Sequence, residues 1–343
     1  MERGVISRPF GRLKDGRMCS LYTLSNSSGA NVTLTDFGAA LVGANMPDKH
    51  GTLGPVALGF DTIEAYENNP AYLGVIIGPV ANRIGGGSFD LNGQTYHLDK
   101  NEGGNCLHSG KHGWHAKLWD MKPTDEGLQF SFKTTADEGG FPGSIDAAIN
   151  IILSENNDLI YRLQARTDSP TPIAMTAHPY FNLTDGGASR IDDHIITIPS
   201  PSIAQLDAQG VATGDLLSVN EAGLGLRSPH PLSDFLREDG KLPFDFHYIV
   251  AGQGLRHMAR VESLASGRRL DVHGSADGVQ FYTGQHIPEV QGRGKTRYGP
   301  SHGFALEPQA RPNAVNIPFF PSVILNPDEK YDDTIIYEFS LID

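Results

Sequence analysis

Ile145-Asp146-Ala147-Ala148-Ile149-Asn150-Ile151-Ile152-Leu153, followed by Glu155-Asn156-Asn157-Asp158 and then by Leu159-Ile160-Tyr161-Arg162-Leu163-Gln164-Ala165, decides the fold class. Apolar side chains recur at positions 145, 147, 149, 151 and 153 before the polar turn, and at 159, 161, 163 and 165 after it. An extended backbone turns successive side chains to opposite faces, so a period of two buries one face and wets the other. The two runs read as a hairpin of long strands, each with one buried face.

The same short alternating grammar extends outward from this hairpin. Residues 32–35 and 37–42 read as early strands, and 129–133, 195–198, 270–273, 280–283 and 335–341 as later ones. Helical signals are poor: 231–237 offers one or two turns and 62–67 another. The 40 glycines and 22 prolines are spread as turn punctuation. No alternation of strand and helix appears, which argues against a doubly wound sheet. No repeat, charge block or composition break marks a linker. One large antiparallel β-sandwich covering residues 1–343 as a single domain is the simplest account.

The charge balance narrows the function classes. Against 27 Lys and Arg stand 40 Asp and Glu, a formal net charge of −13. Such a surface repels phosphate backbones and anionic lipid, which argues against nucleic-acid or membrane partners. Two cysteines, Cys19 and Cys106, make neither a disulfide framework nor a zinc motif. With no apolar run of signal-peptide or membrane-span length, the expectation is a soluble cytoplasmic protein.

Motifs for cofactor chemistry are missing. Gly85-Gly86-Gly87 follows Asn82-Arg83-Ile84 without a helix pattern or a phosphate-loop lysine, so it reads as a tight turn. His108, His112 and His115 lie close in sequence, but the glycines between them preclude a helix that would align them on a metal. One histidine in a site and the others solvated is the expectation. No nucleophilic serine elbow occurs, and Cys106 reads as a small buried hydrophobe. What remains are polar residues in stiff, apolar settings. His178 precedes Pro179 among aromatics in Ala177-His178-Pro179-Tyr180-Phe181-Asn182-Leu183. The proline biases His178 toward an extended conformation and gives the imidazole a defined direction. Glu307 ends the apolar run Phe304-Ala305-Leu306 ahead of Pro308. A carboxylate there is desolvated, which raises its pKa and makes it a better base. Taken singly, each reads more readily as a capped or hydrogen-bonded structural residue than as a catalytic one.

Together these segments resemble the aldose 1-epimerase (galactose mutarotase) family over most of the chain. The matching pieces run in order: Gly78 to Ile84, Phe89 to Leu98, Asn105 to Gly110, His178 to Leu183, Phe244-Asp245, Gly278 to Gly284, and Phe304 to Gln309. The resemblance implies an all-β fold, a large antiparallel β-supersandwich of galactose-mutarotase type with few short helices. It implies a small-molecule hexose as substrate, no cofactor and no metal. Residue by residue, it implies His178 as general acid and Glu307 as general base. Asn82, Arg83, His108, Asp245 and Gln280 are implied to bind the sugar, with His108 close to the ring oxygen. Three positions depart from the family pattern: Pro79 stands for a common arginine, Ser109 for glycine, and Phe246 for a polar residue beside Asp245.

The implied reaction suits these residue types. Opening a sugar ring needs one group to take the anomeric proton and another to protonate the ring oxygen, and the same pair recloses it. An imidazole with pKa near 6.5 and a carboxylate raised from about 4.3 match that exchange near neutral pH. Aromatics such as Tyr180 or Phe181 suit the sugar face. Three other readings stay open at this point. A hexose-6-phosphate 1-epimerase would need basic residues, for which Arg268-Arg269 and Lys295-Thr296-Arg297 are sources. A non-catalytic sugar sensor on the same fold would bind without turnover. A glycoside hydrolase or lyase would use a pair of carboxylates such as Asp245 and Glu307. A monomer or a homodimer fits all of these.

Overall fold

The computed structural model describes residues 5–342. The hairpin read from the alternation is present as strands Ile145–Leu153 and Asp158–Thr167. Their antiparallel register sets Ala147 opposite Ala165, Ile149 opposite Leu163, Ile151 opposite Tyr161 and Leu153 opposite Leu159. All eight of these side chains are buried in the main core. The turn sits one residue earlier than its polar residues suggest. Ser154 closes the turn by donating its backbone N–H to Asp158 O, and Asn157 takes φ +70.

This hairpin lies within a nine-stranded antiparallel sheet. In spatial order the strands are Asp120–Pro123, Leu128–Lys133, Ile145–Leu153, Asp158–Thr167, Tyr331–Leu341, Arg268–Gly274, Arg256–Ser263, Ile195–Thr197 and His230–Pro231. A five-stranded sheet runs in sequence order from Ile6–Arg12 to Leu53–Pro55. A second one is ordered Ala212–Ser218, Ser202–Leu206, Asp245–Ile249, Gly278–Tyr282 and Ala305–Gln309. One hydrophobic cluster joins all three, with Leu34, Ile149, Tyr161, Leu270, Phe281 and Tyr337 among its members. Each such fully buried side chain contributes roughly 1.5–3 kcal/mol, so the sheets stack face to face around a shared core.

The strands expected at 129–133, 195–198, 270–273, 280–283 and 335–341 all appear, mostly longer than their apolar cores. One early strand is misplaced by the sequence reading. After Asn31–Thr35 the chain turns through Phe37 to Ala40, closed by a bond from Thr35 N–H to Ala40 O, and the next strand spans Leu41–Pro47. Gly38 at φ +65 and Ala39 at φ +45 break the extension that their apolar neighbours imitate. Among the described residues, helix is confined to Ile63–Glu67, capped by the Thr62 hydroxyl, and to single 3-10 turns such as Leu232–Phe235.

Candidate active site

Glu307 sits in the middle of the strand Ala305–Gln309, every residue of which is buried. Its neighbour Gly278–Tyr282 pairs antiparallel and sets Gln280 directly opposite Glu307. The next strand, Asp245–Ile249, sets Asp245 opposite Tyr282 and His247 opposite Gln280. Residues two apart share a face, so Glu307, Gln280, Tyr282 and Asp245 all point to one side. Phe246 falls on the other side, opposite Phe281, and packs against the core. The substitution at that position therefore leaves the direction of Asp245 unchanged.

The outer edge of the Glu307 strand is covered by the segment that carries His178. Phe181 and Phe304 exchange two backbone bonds, Phe181 N–H to Phe304 O at 2.8 Å and Phe304 N–H to Phe181 O at 2.9 Å. The Thr176 hydroxyl donates to Pro308 O at 2.9 Å. On its other side this segment is anchored by His178 N–H to Val75 O (2.9 Å) and Gly74 N–H to His178 O (3.0 Å). Two residues 129 positions apart in the chain are thus brought together. His178 Nε2 stands 3.6 Å from Glu307 Oε1, with both side chains at most 5% exposed.

They share a cavity of about 200 Å³ whose wall includes Tyr72, Asn82, Arg83, Glu102, His108, Tyr180, Asp245, Gln280 and Tyr282. Pockets for drug-sized ligands run to roughly 300–1,000 Å³; this one suits a single sugar ring. All seven residues singled out from the sequence line it. Gln280 Nε2 donates to Asp245 Oδ1 at 2.6 Å, and Arg83 Nη1 lies 3.9 Å from Asp245 Oδ2. Glu307 Oε2, Gln280 Oε1 and His178 Nδ1 are buried without a protein partner. Buried polar atoms are costly unless hydrogen-bonded, so these three offer the cavity hydrogen-bonding capacity that no protein group uses.

Burial sets the protonation of the pair. It pushes the Glu307 carboxyl well above the usual carboxylate range, helped by the negative charge of Asp245. It pushes the His178 imidazole down to about 4, with His115 adding to the effect. Both groups are driven toward their uncharged forms, which favours a state in which the pair holds one transferable proton. His108 is also pushed well below its ordinary value by burial, then by His178 and His115. Its Nδ1 accepts the Asn82 backbone N–H at 3.1 Å, which leaves the proton on Nε2. His108 is therefore a neutral donor.

The clustered histidines are separated, as their glycine spacing suggests. His108 lines the cavity, while His112 lies on the surface beside Asp99. His115 corrects the expectation of a solvated side chain: burial holds its pKa at about 4, and its ring meets the edge of Tyr72 at 5.0 Å. Among the described residues, no group of three or more His, Cys, Asp or Glu is arranged to hold a metal ion. Both cysteines are free and buried, and burial lifts each thiol to about 12, which disqualifies them as thiolate nucleophiles. Tyr180 lines the cavity but Phe181 is turned wholly into the core.

Sequence reasoning missed Tyr72, Glu102 and Tyr282. Tyr72 takes φ +56, rare for an aromatic residue, and its ring contacts those of His108 (4.7 Å) and His115. Only the neighbouring Pro70 hinted at a turn there. The Ser109 departure also has a physical use. Its hydroxyl accepts from Val80 N–H and donates to Val80 O, both at 2.9 Å, stapling the His108 loop to the Asn82 loop.

The aldose 1-epimerase family model matches residues 20–338. Galactose mutarotase from Bos taurus is 36% identical over 312 residues, covering 90% of this chain and 91% of that protein. Galactose mutarotase from Homo sapiens is 34% identical over 334 residues, 97% of each chain. Among solved structures, the GalM/aldose epimerase homologue from C. elegans superposes with a TM-score of 0.88 at 28% identity, over 94% of this chain and 98% of that one.

Proposed function

Because the chain belongs to the aldose 1-epimerase family, and is thus an isomerase that interconverts the α and β anomers of a hexose, we propose that His178 and Glu307 are its proton-transfer pair. The observation that carries this reading is their 3.6 Å approach in a cavity lined by Asn82, Arg83, His108, Asp245 and Gln280. Glu307 takes the proton of the anomeric hydroxyl, and the C1 to ring-oxygen bond breaks with its electron pair going to the ring oxygen. His178 delivers a proton to that oxygen, and the open-chain aldehyde forms. Rotation about C1–C2 presents the other carbonyl face, and the two groups then run the steps in reverse. The competent state carries the pair's proton on His178. Attraction between imidazolium and carboxylate at this distance offsets part of the cost of burying them charged.

Arg83, Asp245 and Gln280 bind hydroxyls as a linked set, with Asn82 and His108 beside them. Galactose and glucose are the proposed substrates. The basic segments offered for a phosphate do not serve this cavity. Arg268 is buried and donates to the carbonyls of Met46, Pro47, Leu183 and Thr184, while Arg269 donates to Glu262. A hexose-6-phosphate reading is therefore not favoured. The seven residues span 82 to 307 of one chain, which supports 1–343 as one catalytic domain, able to act as a monomer or a homodimer. Two free buried thiols support a cytoplasmic location. Among the described residues no helix is long and apolar enough to cross a membrane.

The test is the rate of optical-rotation change of freshly dissolved α-galactose and α-glucose with and without the protein. Acceleration of either is expected. Saturable sugar binding with no change in rate would convert the reading to that of a sensor.

A further inference from the structure

Among the described residues, Arg83 is the one Lys or Arg in the wall of the cavity. A guanidinium presents a two-pronged edge that matches carboxylate and phosphate oxygens, so an unpaired arginine in a pocket is an oxyanion site. Here that edge is taken. Arg83 Nε donates to Glu102 Oε2 at 2.5 Å and Nη2 donates to Glu102 Oε1 at 2.7 Å. Only Nη1 is left facing Asp245, at 3.9 Å.

Glu102 is built into place by its backbone. Strand Cys106–Leu107 pairs with Arg83–Ile84, setting Leu107 opposite Arg83. The turn before it is closed by Asn105 N–H to Glu102 O at 3.0 Å. Asn105 then accepts Gly86 N–H and donates to Gln209, which ties the turn to both neighbouring loops. Gly210 lies against the guanidinium, where an added Cβ would stand 3.4 Å from its central carbon. The Glu102 side chain is 36% exposed and that of Arg83 16%. At that exposure the ion pair adds little stability, so the arrangement acts by occupying and orienting the guanidinium.

We propose that Glu102 is a positioning and specificity-determining residue: by filling the two-pronged edge of Arg83 it presents Nη1 alone to a sugar hydroxyl and keeps oxyanions out of the site. This rests on the aldose epimerase reading of the cavity. With Glu102 in place the wall brackets its one permanent cation between two carboxylates, and a neutral hexose is the ligand that meets no repulsion. Without it, inorganic phosphate fits where the carboxylate stood.

The experiment compares the wild type with E102A and E102D. Anomer interconversion of α-galactose is followed with and without inorganic phosphate, chloride holding the ionic strength constant. In E102A, KM for galactose rises about tenfold, the equivalent of ~1.4 kcal/mol, kcat falls by less than that, and phosphate becomes a competitive inhibitor at millimolar concentration. E102D keeps the charge and restores insensitivity to phosphate. Should E102A not fold, the isosteric E102Q takes its place with the same expected direction. Phosphate-insensitive E102A, or E102D as sensitive as E102A, overturns the proposal, because a merely structural residue would lower activity without creating an anion site. A wild type that does not interconvert anomers would overturn the functional reading instead. Calorimetric titration of inorganic phosphate into wild type and E102A then decides the Glu102 proposal by itself, binding only to E102A supporting it and equal binding refuting it.

Discussion

Replacing Glu307 by glutamine removes the proposed base while keeping its volume and one acceptor oxygen. Glu307 is 2% exposed and stands opposite Gln280, so an amide of equal size fits without repacking. A positioned general base contributes roughly 10²–10⁴-fold, which is ~2.7–5.4 kcal/mol of barrier. In ground-state binding the anomeric hydroxyl exchanges a charged acceptor for a neutral one. Hydrogen bonds to charged groups are worth roughly 1.5–3 kcal/mol against 0.5–1.5 for neutral ones, a mid-range difference of ~1.3 kcal/mol that raises KM by about tenfold. The loss in kcat must therefore exceed the change in KM. Stability moves the other way. The folded pKa of Glu307 lies above its unfolded value because of burial, so this group favours folding at low pH and opposes it as pH rises through the folded value. Glutamine cannot ionise, and E307Q should gain melting temperature relative to wild type as pH rises. Polarimetry at saturating α-galactose measures the first effect and thermal unfolding between acid and alkaline pH the second. A kcat within threefold of wild type, with folding intact, would refute the base assignment.

The pH profile of kcat/KM should be bell-shaped with its acid limb at about 4, where His178 gains a second proton for the pair and no base remains; an acid limb at the ordinary histidine value near 6.5 would argue against burial as the controlling factor. I149A empties a fully buried position in the central hairpin. It should cost about 2–5 kcal/mol in urea unfolding, and a loss under 1 kcal/mol would mean that the core relaxes around it. Gly74 has φ +76, its added Cβ would stand 2.1 Å from Leu41 O, and its N–H holds the His178 carbonyl. G74A should lower stability by roughly 1–3 kcal/mol and reduce kcat as well, since the histidine segment must shift; an unchanged kcat in the folded variant would separate that loop from catalysis.

How much was legible in advance depended on the range of the interaction. The alternation from Ile145 to Ala165 required a sheet with one buried face, because side-chain direction in an extended chain is a local property. The helix at Ile63–Glu67 and the turn at Gly85–Gly87 were equally readable, through a threonine cap and glycine's freedom at positive φ. The resemblance of ordered motifs pointed to every residue later found in the cavity wall from that set. The strand expected at 37–42 shows the limit of pattern reading: Leu41 and Val42 open a strand, but residues 37–40, buried as expected, form a turn.

What the sequence by itself determined is thus the sheet class, the residue types available for proton transfer, and the absence of familiar nucleotide-binding motifs. The resemblance implied His178 and Glu307 as partners, but only the tertiary structure brings them within 3.6 Å, because the bonds between Phe181 and Phe304 close a distance of more than a hundred residues. The same holds for the protonation of the pair, the burial of His115, and the roles open to Tyr72 and Glu102. Desolvation and long-range register depend on what packs against a residue from elsewhere in the chain, and no local pattern carries that information.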